Sequence, residues 1–158
     1  MYASVLLTRE ICESFKERYE KTGKRSLITF TSALASVAPT PGVSAYAASK
    51  VFNDYVAWGL GVELTRYKVD VCAWRAAGVA TNIIGNPDTN FMVPTAETYV
   101  KQAFSKCTSG VHGGYIGHEM VELIWTNLND IFSLYWCSLF FKKLIEAHAP
   151  SDEAKKAK

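Results

Sequence analysis

The sequence predicts an α/β domain built on a parallel sheet, and three observations carry that reading. A short β-prone run at residues 27–32 (LITFTS) suits a central strand buried on both faces. A second strand-like run occupies residues 68–74 (KVDVCAW). Between them lies a long, mostly apolar helical pattern from Ser44 to about Arg66. Strand, helix and strand at this spacing make a parallel, right-handed crossover the default connection.

Size and composition agree with one globular domain. The 158 residues are enough to bury a sizeable core, and 49% hydrophobic with 20% charged residues excludes a disordered chain. Seventeen basic against fifteen acidic side chains leave +2, which gives no electrostatic case for a nucleic-acid partner. Cys12, Cys72, Cys107 and Cys137 are scattered, without a Cys-x-x-Cys or a histidine at ligand spacing, so neither zinc nor a disulfide framework is expected. His112, His118 and His148 form no cluster and are assigned no chemistry. The N-terminus has a charged helical pattern where a cleavable signal would place an apolar core.

In chain order, residues 2–21 read as an amphipathic helix, with Val5, Leu6, Ile11, Cys12, Phe15 and Tyr19 at three- and four-residue steps and Gly23 as its stop. The strand at 27–32 follows. Pro39, Pro41 and Gly42 then enforce a loop before the 44–66 helix. After the second strand, residues 76–81 (AAGVAT) are small and let the backbone approach a ligand closely. Residues 86–94 form a loop, and Thr95 caps a helix start with Thr98 and Glu97 in its first turn. The glycines between 110 and 117 mark a turn and not a phosphate cradle, because no Lys-Ser/Thr follows and no Gly-x-Gly-x-x-Gly occurs. Residues 120–145 are aromatic and apolar. The run at 131–141 is too short to span a bilayer and fits an interfacial helix or a dimer-packing segment. The division expected is one domain over 1–149 and a polar tail over 150–158.

The chemistry centres on residues 46–50 (YAASK). Tyr46 and Lys50 are four apart, so a helix stacks them on one face. An ammonium close to a phenol favours the phenolate, which equips such a pair for proton transfer. Spacing alone fits a solvated pair on a helix surface more simply.

An ordered series of residues narrows this. Residues 4–9 (SVLLTR), 28–32 (ITFTS), 39–41 (PTP), 46–50 (YAASK), 71–74 (VCAW) and 79–81 (VAT) together resemble the short-chain dehydrogenase/reductases. Within them the chain looks most like the very-long-chain 3-oxoacyl-CoA reductase and 17-beta-hydroxysteroid dehydrogenase branch. The resemblance implies the C-terminal portion of a doubly wound, Rossmann-type parallel sheet with a helical C-terminal extension. It implies NADPH as cofactor and, as activity, reduction of a 3-oxoacyl-CoA to the 3-hydroxyacyl-CoA in very-long-chain fatty acid elongation, or of a steroid 17-ketone. Tyr46 would protonate the substrate carbonyl, Lys50 would hold the nicotinamide ribose, and Val79 and Thr81 would hold the carboxamide end. Thr81 equally fits a helix N-cap before Asn82.

Three features depart from the family's pattern. The serine that orients the carbonyl stands thirteen residues before the tyrosine, where this chain has Ala33; Ser32, fourteen before, takes that role only if the strand end is bulged. Ala76 replaces a usual proline. The glycine-rich pyrophosphate turn has no counterpart, so the chain reads as the C-terminal half of a reductase with impaired activity of its own. The different class of expectation is an inactive partner that docks on an intact reductase. A homodimer through the Tyr46 helix, membrane association, and residence at the endoplasmic reticulum membrane complete the expectations, the last from Lys155 and Lys156, which resemble a dilysine retrieval signal.

Overall fold

A computed structural model of the chain describes residues 2–85, 87–131, 139, 142 and 143. Most of the aromatic run at 131–141, the polar tail and the dilysine lie outside the described residues. Helix α1 (Tyr2–Thr22) leads through Gly23 into strand β1 (Ser26–Ala33). Gly23 adopts φ +66° and its N–H donates to the Tyr19 carbonyl at 2.7 Å, which closes the helix in the left-handed conformation that glycine tolerates. Helix α2 (Ser44–Leu64) crosses to strand β2 (Val69–Ala76), helix α3 (Ala96–Ser105) leads to the short strand β3 (Gly110–His112), and α4 (Ile116–Ile131) follows.

The three strands are parallel in the order β1-β2-β3. The β1–β2 ladder runs without a slip from Ser26 beside Val69 to Ala33 beside Ala76. The α/β class with a parallel sheet is therefore as the sequence predicts, and the partial sheet is consistent with a portion of a Rossmann-type fold. Burial differs from expectation: β2 is the central strand, whereas β1 lies at the edge of the described sheet with Thr29 and Thr31 exposed. The threonines of the 27–32 run already supply the alternation that an edge strand tolerates.

Strand alternation sorts the core onto two faces. Val69, Val71 and Ala73 join Phe30 and pack against Cys12 and Phe15 of α1 and Ala57 and Leu64 of α2. Complete burial of a side chain such as Val71 contributes about 1.5–3 kcal/mol. Trp74 and Ala76 point to the other face, toward Tyr99 and Ala103 of α3 and Tyr115. The Trp74 ring meets Phe104 edge-on, with centroids 4.9 Å apart.

The glycine turn after β3 is tighter than its sequence reveals. Gly114 has φ +72°, and a Cβ there would stand 2.9 Å from the Tyr99 hydroxyl oxygen. A Cβ at Gly117 would overlap the Phe91 carbonyl oxygen. These contacts bring the turn against α3 and the start of α4 against the loop that follows β2.

Candidate active site

In parallel α/β sheets the loops at the carboxyl ends of the strands gather on one side, and ligands bind there. β1 ends at Ala33 beside Ala76, the last residue of β2, so the loops leaving both strands start from the same edge. The first loop returns as α2 with Tyr46 in its opening turn. The second carries Val79 and Thr81.

Tyr46 is 50% exposed. The Lys50 ammonium stands 5.4 Å from the centroid of its ring, the one-turn separation that the spacing requires. Lys50 Nζ also donates to the Thr31 carbonyl at 3.0 Å, and Asn53 Nδ2 donates to the same oxygen at 3.1 Å. Two side chains of α2 thus fix the end of β1, and one of the three ammonium donors is engaged in doing so. Asn53, three residues after Lys50 and on the same helix face, was legible from spacing alone but carried no motif.

Ser32 lies beneath the helix. It is 2% exposed and its hydroxyl donates to the Lys50 backbone carbonyl at 3.2 Å. Because the β1–β2 ladder is continuous to Ala33, the strand end carries no bulge that would turn Ser32 toward the exposed face of Tyr46.

Val79 packs against the Tyr99, Ala103 and Tyr115 cluster. The next residue forms a bridge, Ala80 N–H donating to the Pro94 carbonyl at 2.9 Å beside Thr95. Thr81 occupies the N-cap of a short turn, Asn82–Ile84, but its side chain makes no cap hydrogen bond. The capping role offered by the sequence is therefore not exercised there, whereas Thr95 does cap α3, accepting from the Thr98 N–H at 3.1 Å.

His118, to which the sequence assigns no chemistry, is the residue that ties this second loop down. It is wholly buried, and the Ala77 N–H donates to its Nδ1 at 3.3 Å. An N–H can only donate, so Nδ1 is the acceptor and Nε2 carries the proton, which reaches the carbonyls of Gly78 at 3.1 Å and Met92 at 3.3 Å. Burial lowers the imidazole below its ordinary range, outweighing the two carbonyls that favour its protonated form. Tyr99 and Tyr115 flank the ring, with centroids at 5.4 and 5.2 Å. Burial, with the Glu119 charge second, pushes the Tyr99 phenol up to about 12, so this phenol stays protonated and donates to the Gly113 carbonyl at 3.2 Å. The glycines around His118 were the only sequence signal of such close packing.

A cleft of about 410 Å³ opens along the edge of β1, between α1 and the Thr31 end of the strand, lined by Leu7, Ile11, Phe15, Leu27 and Asn53. Among the described residues no group of histidine, cysteine, aspartate and glutamate side chains is placed to hold a metal ion, and no helix is long and apolar enough to cross a membrane.

No protein-family model matches the chain. The very-long-chain 3-oxoacyl-CoA reductase of Mycosarcoma maydis is 31% identical over 102 residues, which are 65% of this chain and 29% of that protein. The very-long-chain 3-oxoacyl-CoA reductase of Anas platyrhynchos is 33% identical over 97 residues, 61% of this chain and 30% of that protein. A Caenorhabditis elegans protein provisionally named a steroid dehydrogenase is 29% identical over 106 residues, 64% of this chain and 34% of that protein. The chain thus spans about a third of the length of the curated relatives it matches. In its ordered motifs, its parallel βαβ unit and these identities, the chain is similar over that partial match to the very-long-chain 3-oxoacyl-CoA reductases and steroid dehydrogenases.

Proposed function

We propose that this chain carries the proton-donating element of an NADPH-dependent carbonyl reductase whose substrate is a 3-oxoacyl-CoA. The observation that supports it best is the half-exposed Tyr46 phenol with the Lys50 ammonium 5.4 Å from its ring centroid, at the carboxyl end of the parallel strands. Tyr46 gives its hydroxyl proton to the substrate carbonyl oxygen as negative charge develops there. Lys50, with two ammonium donors beyond the one on Thr31, would hold the ribose hydroxyls. Ser32 steadies Lys50 through its backbone; orienting a carbonyl with the same hydroxyl would require that bond to open.

The nicotinamide, when bound, supplies the hydride. The residues present fit its ribose and carboxamide end: Val79 and Thr81 lie on a small-residue loop that His118 fixes from behind. For the pyrophosphate the described strands offer no glycine-rich turn into a helix, so that end finds no matching element in these residues. A steroid 17-ketone is the second substrate class, because an apolar substrate cleft accepts either.

A second reading, docking through α2 on another copy or on an intact reductase, is favoured by one observation. Tyr55, Trp58 and Val62 recur at three- and four-residue steps and are 68, 53 and 80% exposed, with the Tyr55 and Trp58 rings stacked at 6.3 Å. Ile116, Met120, Leu123 and Ile124 form a comparable exposed apolar stripe on α4, which supports association with a membrane surface; residence at the endoplasmic reticulum rests on the resemblance to reductases of that membrane.

The deciding experiment follows fluorescence of reduced nicotinamide during titration of NADPH into the chain and its Tyr46→Phe and Lys50→Ala variants, then 3-oxoacyl-CoA turnover. Saturable binding weakened by Lys50→Ala, with turnover abolished by Tyr46→Phe, is expected. Absence of both binding and turnover overturns catalysis by this chain and leaves the docking reading.

A further inference from the structure

Two of the four cysteines, 35 residues apart in sequence, meet on the α3 face of the sheet. Cys72 Sγ of β2 and Cys107 Sγ of the α3–β3 connection are 3.0 Å apart, both as free thiols. Their approach is built into the fold. The Val71 N–H donates to the Ser109 hydroxyl at 3.2 Å, and Cys72 pairs with Gly110 in the β2–β3 ladder. The turn bearing Cys107 is thereby fastened to β2 at two successive positions, Ser109 and Gly110, just after the cysteine. Closing the sulfurs to the bonded separation of about 2.05 Å needs a movement of about 1 Å, within the range of small side-chain adjustments.

We propose that Cys72 and Cys107 form a reversible intramolecular disulfide on exposure to a peroxide. The two thiols are unequal. Cys72 is wholly buried, and burial followed by its hydrogen bond to Cys107 pushes its thiol far up, so it does not meet the oxidant first. Cys107 is only partly buried. Its thiolate attacks one peroxide oxygen, the O–O bond breaks, and Cys107 becomes a sulfenic acid as hydroxide leaves and takes up a proton to form water. Cys72 then loses its proton and attacks Cys107 Sγ; the S–S bond forms and the sulfenic oxygen departs as a second water. The two sulfurs together give up two electrons and one peroxide is reduced. The resulting bond closes a loop that contains Val79, Thr81 and all of α3, and so ties the loop of the proposed carboxamide site to the central strand by a covalent link. A thiol reductant reverses it.

The test is a non-reducing peptide map of the full chain after brief treatment with equimolar hydrogen peroxide. The expected product is a Cys72–Cys107 cross-linked peptide lighter by two hydrogens, with alkylatable thiols after unfolding falling from four per chain to two and returning on addition of dithiothreitol. In Cys72→Ala, dimedone should label Cys107; in Cys107→Ala, Cys72 should stay unlabelled. A disulfide to Cys12 or Cys137, four alkylatable thiols after treatment, or dimedone on Cys72 in Cys107→Ala overturns the proposal. The wild-type map decides by itself if either variant fails to fold by circular dichroism. The readout is independent of any NADPH or acyl-CoA activity.

Discussion

His118 Nε2 lies 3.1 Å from the carbonyl oxygen of Gly78, in the loop that follows the central strand, while its Nδ1 accepts the N–H of Ala77. One neutral imidazole therefore satisfies a donor and an acceptor of the same turn. Protonating Nδ1 would leave the Ala77 N–H facing another donor.

This fixes the sign of a pH dependence. Burial lowers the His118 affinity for a proton in the folded chain, while the unfolded chain titrates near the ordinary value of about 6.5. The unfolded state binds more protons below that pH. The stability tied to neutral His118 is thus fully present above about pH 6.5 and is lost as pH falls below it. Thermal melts of wild type and His118→Asn from pH 8 to pH 5 should show a steeper loss for wild type at the acid end. Parallel curves would mean that the imidazole does not stay neutral in the fold.

Arg75 of β2 joins two carboxylates from different helices, Asp54 of α2 at 2.9 Å and Glu122 of α4 at 2.5 Å. Asp54 is 1% exposed and Arg75 largely covered. Removing the guanidinium leaves a buried carboxylate without its partner, which costs about 3–5 kcal/mol when a buried pair is broken from one side. Urea unfolding of Arg75→Met should lose stability in that range, and Asp54→Asn combined with it should recover part of the loss. A loss below about 1 kcal/mol would place the network in the class of exposed ion pairs.

How far these features were legible in the sequence depends on the distance over which their causes act. The βαβ order, the Gly23 stop, the Thr95 cap and the Tyr46–Lys50 stacking rest on neighbours within four residues, and each is visible in the string. β3 was hidden because Gly-Val-His has little strand propensity and is recruited by its ladder to Cys72 and Trp74. The roles of His118, Arg75 and Cys107 were hidden for the same reason. Each is defined by partners roughly 20 to 50 positions away, and no local period reports such contacts.

Ser32 offers a clean separation of two roles. As the donor to the Lys50 carbonyl it contributes about 1 kcal/mol, the usual net worth of an intramolecular hydrogen bond. As a polarising donor to the substrate it would be worth about 10²–10³ in rate. Ser32→Ala should lower stability by about 1 kcal/mol in urea and, in any preparation that turns over 3-oxoacyl-CoA, reduce kcat less than tenfold. A drop of a hundredfold or more with unchanged stability would place the hydroxyl on the substrate.

The exposed face of α2 predicts self-association that depends on its aromatic pair. Tyr55 and Trp58 stack on each other, and Val62 extends the same stripe by one turn. An apolar stripe of this kind, two-fold related to itself, makes the same patch available on both copies of an isologous dimer. A charge placed at its centre must be desolvated in such an interface but remains hydrated in the monomer. Trp58→Glu should therefore shift sedimentation velocity from dimer toward monomer at micromolar chain concentration, while Tyr46→Phe, at the far end of the helix, should leave the distribution unchanged. Circular dichroism checks that Trp58→Glu retains its helices, as expected for a side chain that is 53% exposed. A wild-type chain that sediments as a monomer at every concentration tested would remove α2 as a self-docking surface.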